Sequence, residues 1–593
     1  MTTEHRITRF ASLAQLVDVR GREQPELEVY RFVMDGERVV ASLTCGQLLH
    51  QVRRVAAALV AAGLAGERAL LVYTPGLEFI VAFLGCAYAG VVAVPVYPPN
   101  PARLEKALPV LLGIVRDAAP RAILGDKLTI GLVRGLASRI EGSDELVLLA
   151  TDAIPDAITD EVAGPMQPPT DTTIAFLQYT SGATGTPKGV VLTHGNLLHN
   201  LSVIEARFEH TPESVGVIWL PSYHDMGLIG GILQPLYAGF PVVLMSPLDF
   251  LKRPASWLGA ISRFRATTSG GPPFAFDLCT RSVPDDTVAE LDLSSWKLAF
   301  VGADAIREDQ LAAFARKFGP CGFAPEAFYP CYGLAEATLY VTGGAQAALP
   351  TVYAMPARDG EPSRQMVGCG RPSEDSALCI VDPQTRTLVA DGQVGEIWVQ
   401  GPSVAAGYWR KPEATEDTFG ARLATGEPGR YLRTGDLGLV RDGELFVTGR
   451  IKEVIKIRGK SYHPQDIETT VEDSDPEMIR RGCSAAFLAD DDATLVVVAE
   501  LRAAALKDAA LPAAHAAALC AQLRTAITST YGLTVSGIAL TRLGTVPKTS
   551  SGKIRRAICR DLYLAGELPL LGLWRRGLTG MSTNMESPTV ETP

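Results

Sequence analysis

The chain has 593 residues, 47% hydrophobic and 20% charged, enough to bury several cores and, on length alone, to form three or four domains. Its 55 Lys and Arg against 65 Asp and Glu give a formal net charge of −10 with no long basic block, which argues against nucleic acid as the main partner. The ten cysteines form no Cys-x-x-Cys pair, His194 and His199 stand five apart, and the opening Met1-Thr2-Thr3-Glu4-His5-Arg6 lacks an apolar h-region. These features argue against a disulfide framework, a zinc site and a secretory signal, leaving a cytoplasmic enzyme as the expectation.

In chain order, apolar residues first recur at Leu49, Val52, Val55, Ala56, Leu59 and Val60, the spacing of a helix laid over a sheet. Residues 69–73 read as a short strand. The run 79–97 is nineteen residues without a charge, near the length of a membrane span. However, Gly85, Gly90 and Pro95 interrupt it and Val91-Val92-Ala93-Val94 is strand-like, so it predicts a buried helix followed by a buried parallel strand. Pro-rich residues 95–101 form a rigid extended connection, 104–119 a helix, 121–124 a strand and 161–170 a Pro-rich loop. This alternation predicts a parallel sheet in an α/β layer architecture.

The most informative stretch is residues 179–189, Tyr-Thr-Ser-Gly-Ala-Thr-Gly-Thr-Pro-Lys-Gly, between apolar runs at 174–177 and 190–192. It gathers the hydroxyls of Thr180, Ser181 and Thr184, the glycines Gly182, Gly185 and Gly189, and Lys188. Glycines let backbone N–H groups approach an anion, and hydroxyls and an ammonium add donors, so the loop suits phosphates. It is not a Walker A loop, because no Gly-x-x-x-x-Gly-Lys-Ser/Thr occurs. Taken alone, a Gly/Ser/Thr loop of this kind is also compatible with a plain hairpin turn.

The whole eleven-residue pattern resembles the phosphate-binding motif of the adenylate-forming superfamily, which includes acyl-CoA synthetases, peptide-synthetase adenylation domains and luciferases. Further matches cover nearly all of residues 48–571, and several favour the stand-alone fatty acyl-AMP ligases. These are Tyr97-Pro98-Pro99, His224-Asp225-Met226-Gly227-Leu228 and Pro464-Gln465-Asp466-Ile467-Glu468. The resemblance makes His224 a wall of the carboxylate site. It puts Gly302, Ala303 and Asp304 beside the adenine, with Val301 where the family usually has Asn. Tyr332 and Gly333 belong to the adenine wall, and Glu336 is implied as a Mg²⁺ ligand with Thr180 as a further candidate. Asp436 would accept from the ribose hydroxyls, Arg450 would reach ribose or phosphate, and Lys452 sits at the hinge pivot. Pro273 and Phe276 replace the usual Asn and Tyr beside the expected acyl pocket. Residues 395–399 read as an edge-like strand, 495–501 as a strand and the Ala-rich 503–526 as a helix.

The last motif, Pro547-Lys548-Thr549-Ser550-Ser551-Gly552-Lys553, carries the lysine that in the family enters the site during adenylation. Lys553 is therefore the first catalytic candidate, with His224 and Glu336. The implied fold is α/β: a large N-terminal adenylate-forming domain of layered α/β subdomains (1–449), a hinge (450–455) and a small mobile α+β domain (456–576). A polar tail at 577–593 is expected to be disordered. The implied function is ATP- and Mg²⁺-dependent activation of a fatty or related carboxylic acid as acyl-AMP, then transfer to the phosphopantetheine thiol of an acyl carrier protein in trans. No stable membrane insertion is expected. Arg555, Arg556, Arg560, Arg575 and Arg576 could meet an acidic carrier or form a solvated face. The segment after Thr338, where fatty acyl-AMP ligases carry an insertion that restrains the small domain, is short here. An acyl-CoA ligase is the alternative, and an inactive adenylate-binding module a third.

Overall fold

Alternating apolar runs fold into two large sheets in the computed structural model, which describes residues 9–98, 104–136, 146–155, 169–180, 187–356, 363–458, 460–490, 494–506, 511–549 and 552–576. Seven strands make the first sheet, in the order Gly407–Tyr408, Lys188–Thr193, Ile174–Thr180, Val92–Pro95, Arg68–Leu71, Ala122–Gly125, Val147–Ala150. It is parallel except at the antiparallel hairpin of Ile174–Thr180 with Lys188–Thr193 and the short strand beyond it. The second sheet has nine strands, with the parallel set Phe328–Gly333, Leu298–Val301, Thr268–Gly271, Gly216–Ile218, Val242–Met245 and Glu28–Met34 at its centre. The fold is thus α/β, as the alternation implied.

The uncharged run at 79–97 divides as expected into the helix Glu78–Ala89 and the strand Val92–Pro95, buried over all of Phe79–Ala89 and all four strand residues. Gly90 closes the helix with φ +68°, a left-handed cap that a glycine adopts without strain. Among the described residues, no helix is long and apolar enough to cross a membrane.

Three expectations change. Gly395–Gln400 lies inside a four-stranded antiparallel sheet, between Ala377–Val381 and Leu432–Arg441, and is not an edge. Its charge is satisfied internally, because buried Glu396 accepts from Trp398 Nε1 at 3.0 Å and from Arg433 Nη2 at 2.9 Å. The Ala-rich helix is Ala513–Tyr531, and residues 503–505 form only a single tight turn. Pro512 marks the true start, since proline suits a helix N-terminus and disrupts an interior. Phe276 does not line an acyl pocket: it packs at 0% exposure against Trp257, Trp296, Phe314 and Phe328.

The C-terminal part is a smaller α+β domain with its own core. Its sheet, in the order Ile479–Leu488, Leu495–Leu501, Val535–Thr541, Leu570–Arg575, is covered by the helices Pro464–Ser474 and Ala513–Tyr531. Ile467, Val471, Val497, Leu523 and Ile538 fill that core, which begins at Ile455, whereas the main core ends at Leu445. The expected tail at 577–593 lies outside the described residues.

Because Phe276 is a core ring and not a pocket wall, Phe276→Ala is expected to destabilise the large domain by about 3–5 kcal/mol. Denaturant titration followed by tryptophan fluorescence should show it, while the acid preference of the remaining folded enzyme should stay unchanged.

Candidate active site

The hairpin Ile174–Thr180 and Lys188–Thr193 closes on the register pair Thr180 with Lys188, so both residues stand at the mouth of the glycine-rich loop. Ser181, Gly182, Thr184 and Gly185 lie outside the described residues. The Lys188 ammonium lies 4.6 Å from the ring centre of Tyr408, a cation–π placement. Tyr408 donates from its hydroxyl to Glu336 Oε1 at 2.9 Å, tying the loop lysine and the candidate metal carboxylate to one ring.

Glu336 sits in the single turn Ala335–Ala337 that follows the strand Phe328–Gly333. Gly333 is required before it, because a Cβ there would overlap the Leu339 carbonyl oxygen. Thr338 has φ +69° and ψ −67°, and Leu339 N donates to Ala337 O at 2.8 Å. That is a γ-turn on a β-branched residue, a conformation costing about 1–3 kcal/mol that persists only when its surroundings enforce it. Burial pushes the Glu336 carboxyl up, opposed by the Tyr408 bond and the charge of Arg450. A carboxylate kept from water and only partly neutralised suits a hard cation whose other ligands are phosphate oxygens. The donor set therefore fits Mg²⁺ carried by ATP, though not a dedicated protein cage: no cluster of three ligating side chains occurs among the described residues.

Asp436, in the strand Leu432–Arg441, is 5% exposed. Its Oδ2 accepts from the Tyr332 hydroxyl at 2.7 Å and its Oδ1 lies 2.9 Å from Arg450 Nε. The Asp436 charge holds the Arg450 guanidinium well above its ordinary range, and burial followed by Asp436 does the same to the Tyr332 phenol. Ala303, with φ +70°, and Asp304 follow Gly302 at the end of Leu298–Val301.

The small domain contributes Lys553. Its loop folds back on itself: Thr549 N donates to Lys553 O at 2.8 Å and Lys553 N to Thr549 Oγ1 at 3.0 Å. Gly552, at φ +89°, passes so near the large domain that a Cβ would stand 3.0 Å from the Phe274 ring. Burial lowers the His224 imidazole, Asp225 opposes that and the Lys553 charge adds to it, and both residues line the same cavity.

One cavity of about 610 Å³ unites these groups: Thr180, Lys188, His224, Ala303, Tyr332, Gly333, Glu336, Asp436, Arg450, Lys452 and Lys553 all line it. Asp304 lines the adjoining interdomain cleft of about 1550 Å³ instead, and Gly302 lines neither. The smaller cavity continues into an apolar arm bounded by Ile218, Phe240, Val242 and Phe300. Sequence reasoning missed Tyr408, because nothing local to the Gly-Tyr-Trp at 407–409 shows what the hydroxyl meets. It also placed Arg556 among outward-facing arginines, whereas Arg556 points inward to Glu468 and Glu453, at 2.7 and 2.6 Å. The short segment after Thr338 forms the hairpin Val352–Met355 with Arg364–Val367. From it, Arg364 donates to Thr448 O at 3.1 Å and lies 3.4 Å from Asp466 of the small domain.

Residues 17–409 match the AMP-binding enzyme family, and residues 452–572 match the AMP domain described as Disco-interacting protein 2-like. The medium-chain-fatty-acid–[acyl-carrier-protein] ligase JamA of Moorena producens is 41% identical over 575 residues, 94% of this chain and 96% of that protein. The long-chain-fatty-acid–AMP ligase of Mycobacterium marinum is 35% identical over 93% of this chain and 97% of its own. Among solved structures, the fatty acyl-adenylate ligase of L. pneumophila in complex with acyl adenylate and pyrophosphate superposes with TM-score 0.72 at 37% identity, covering 96% of this chain and 98% of that one.

If Lys553 faces His224, removing its charge should raise the imidazole pKa. A histidine titration by NMR on Lys553→Ala is expected to move the His224 midpoint upward; an unchanged midpoint would mean that the two groups are apart in solution.

Proposed function

This chain belongs to the AMP-binding, adenylate-forming enzymes, on their fatty acyl-AMP ligase branch, and from that premise we propose that it activates a fatty acid as acyl-AMP and loads it onto an acyl carrier protein. The observation that carries the reading is the shared cavity: Lys553 of the small domain opens onto the same space as His224, Glu336 and Asp436. The names of the relatives, one an acyl-carrier-protein ligase and another an AMP ligase, support the choice of acid and acceptor.

In the first half-reaction an oxygen of the acid carboxylate attacks the α-phosphorus of ATP, a Pα–O bond forms, the bond to the β-phosphate oxygen breaks, and pyrophosphate leaves. Two anions must meet, so positioning and charge neutralisation dominate the barrier. Asp436 accepts from the ribose hydroxyls and Tyr332 lies against adenine. Arg450 reaches toward ribose and phosphate, Ala303 and Gly333 shape the base pocket, and Thr180 and Lys188 hold the phosphates with their loop. Lys553 draws the carboxylate to the α-phosphate, and a neutral His224 walls the approach without adding charge. Bound Mg²⁺ would neutralise phosphate charge, with Glu336 as its protein ligand and Thr180 as a second.

The acyl chain occupies the apolar arm. For the second half-reaction the small domain, residues 456–576, turns on the large domain, residues 1–449, through the hinge 450–455. Lys452, exposed in the single turn Ile451–Glu453, is the pivot. Such a rotation withdraws Lys553 and admits a thiol, which attacks the acyl carbonyl and releases AMP. The carrier acts in trans.

Lys553→Ala is expected to lower ATP–pyrophosphate exchange by at least about 10²-fold, the scale of removing one preorganised charge, while ATP affinity by calorimetry stays near wild type. Exchange near the wild-type rate would remove Lys553 from the mechanism. With ATP, Mg²⁺ and a medium-chain acid, acyl-AMP should persist when coenzyme A is added and be consumed when a phosphopantetheinylated carrier is added. Acyl-CoA formation instead would make the protein an acyl-CoA ligase, and no pyrophosphate with any acid would make it a binding module.

A further inference from the structure

His199 lies in the helix His194–Arg207, is 6% exposed and does not line the nucleotide cavity. Its Nε2 is 2.6 Å from Asp375 Oδ2 and its Nδ1 is 2.7 Å from Ser403 Oγ. Burial works to raise the Asp375 carboxyl, but bonds from His199 and Ser373 outweigh it and the net shift is downward. An ionised Asp375 is therefore an acceptor, His199 carries its proton on Nε2, and Nδ1 accepts from the Ser403 hydroxyl. The polarity is that of a serine nucleophile with its base. Ser403 is only 7% exposed and lines neither cavity, so no substrate reaches it and the arrangement has another use.

That use follows from what Ser403 holds. Its carbonyl accepts from Thr338 Oγ1 at 2.6 Å, the residue whose γ-turn presents Glu336. Two residues on, Ala405 N donates to the Glu336 carbonyl at 2.9 Å. The same helix grips this strip elsewhere: Asn196 Nδ2 donates to Pro402 O and Val404 O at 2.8 and 2.9 Å. Asn200 Nδ2 donates to Ser403 Oγ at 2.9 Å, and Asn200 Oδ1 accepts from Tyr340 N at 3.1 Å. Past the strip, Gly407–Tyr408 pairs with the strand Lys188–Thr193 and places the Tyr408 hydroxyl on Glu336. Glu336 is thus fixed at its backbone and at its carboxylate by one segment, and His199 anchors the middle of that segment.

We infer that His199 is a positioning residue for Glu336: through Ser403 and Thr338 it fixes the carboxylate that meets the ATP-borne cation, and so sets affinity for the metal–nucleotide complex without touching it. The inference rests on the reading of Glu336 as the Mg²⁺ ligand. Partners of this outer kind are worth roughly 10- to 100-fold in metal affinity.

The test is ATP binding to the full chain by calorimetry across a magnesium titration, with acid KM from pyrophosphate release alongside. His199→Ala and Ser403→Ala are expected to raise the Mg²⁺ concentration for half-maximal ATP affinity roughly 10- to 100-fold. ATP affinity without metal and KM for the acid should stay unchanged. His199→Gln, which keeps a donor and an acceptor, should recover most of the loss, and adding His199→Ala to Glu336→Gln should cost nothing further. A wild-type magnesium dependence in His199→Ala, or a loss that adds in full to that of Glu336→Gln, overturns the inference while leaving the reading of Glu336 intact. If Glu336→Gln alone leaves the magnesium dependence unchanged, the metal-ligand reading falls and the inference with it. Should thermal melting show His199→Ala unfolded, Ser403→Ala, a smaller excision from the same relay, decides by the same outcomes.

Discussion

Asp436 is almost wholly buried with one oxygen engaged by Arg450 and the other by Tyr332. A carboxylate is tolerated in such a place only when it is paired, so the position of Arg450 follows from that of Asp436. Arg450 is the last residue of the strand Glu444–Arg450 and stands directly opposite Asp436 in register. The chain leaves the large domain immediately after it, through the turn Ile451–Glu453. One ion pair therefore sets the carboxylate proposed to bind ribose and the point from which the proposed hinge departs. Tyr332, on the other oxygen, belongs to the strand that runs on through Gly333 toward Glu336. The proposed ribose, adenine and cation positions are all referred to this pair.

Charge is distributed so that the chemistry depends on where the small domain stands. A chain of net charge −10 brings Lys188 and Arg450 to the cavity from the large domain and Lys553 from the small one. Of the cations that line the cavity, Lys553 is the one the small domain supplies, and in the proposed reaction it offsets charge where a carboxylate meets a polyphosphate. Two side-chain contacts across the interface are light: Arg307 Nη1 to Thr469 Oγ1 at 2.7 Å, and Arg364 to Asp466 at 3.4 Å. Partly exposed contacts of this kind contribute about 0–1 kcal/mol each.

The layered α/β fold was legible because apolar runs of strand and helix length alternate, and the interruption of residues 79–97 by Gly85, Gly90 and Pro95 distinguished a buried helix and strand from a membrane span. The motifs led to the groups that line the cavity only through their resemblance to the adenylate-forming superfamily, since a glycine loop or a lone charge by itself fits a plain turn or a solvated face equally well. Less legible were contacts between residues far apart in sequence. Tyr408 reaches Glu336 and Lys188, Phe276 belongs to an aromatic core built from four other segments, and Arg556 turns inward because Glu453 and Glu468 wait there. The segment around Glu396 reads as an edge-like strand until Arg433 is seen beside it. In each case the deciding partner lies outside any window over which periodicity or composition operates.

The hairpin after Thr338 illustrates why its length alone said little. Its two strands are anchored to the large domain by apolar contacts: Met366 is 3% exposed and packs with Leu439 and Phe446, and Tyr353 meets Phe446 edge to face at 5.6 Å between ring centres. Arg364 reaches outward from this base, to Thr448 O on the strand Glu444–Arg450 and to Asp466 on the first helix of the small domain. Burial raises the Asp466 carboxyl, and Arg364, then Arg307, oppose the rise without cancelling it. The anchoring of the hairpin to the large domain is hydrophobic, whereas among the described residues its contact with the small domain is the polar pair of Arg364 and Asp466.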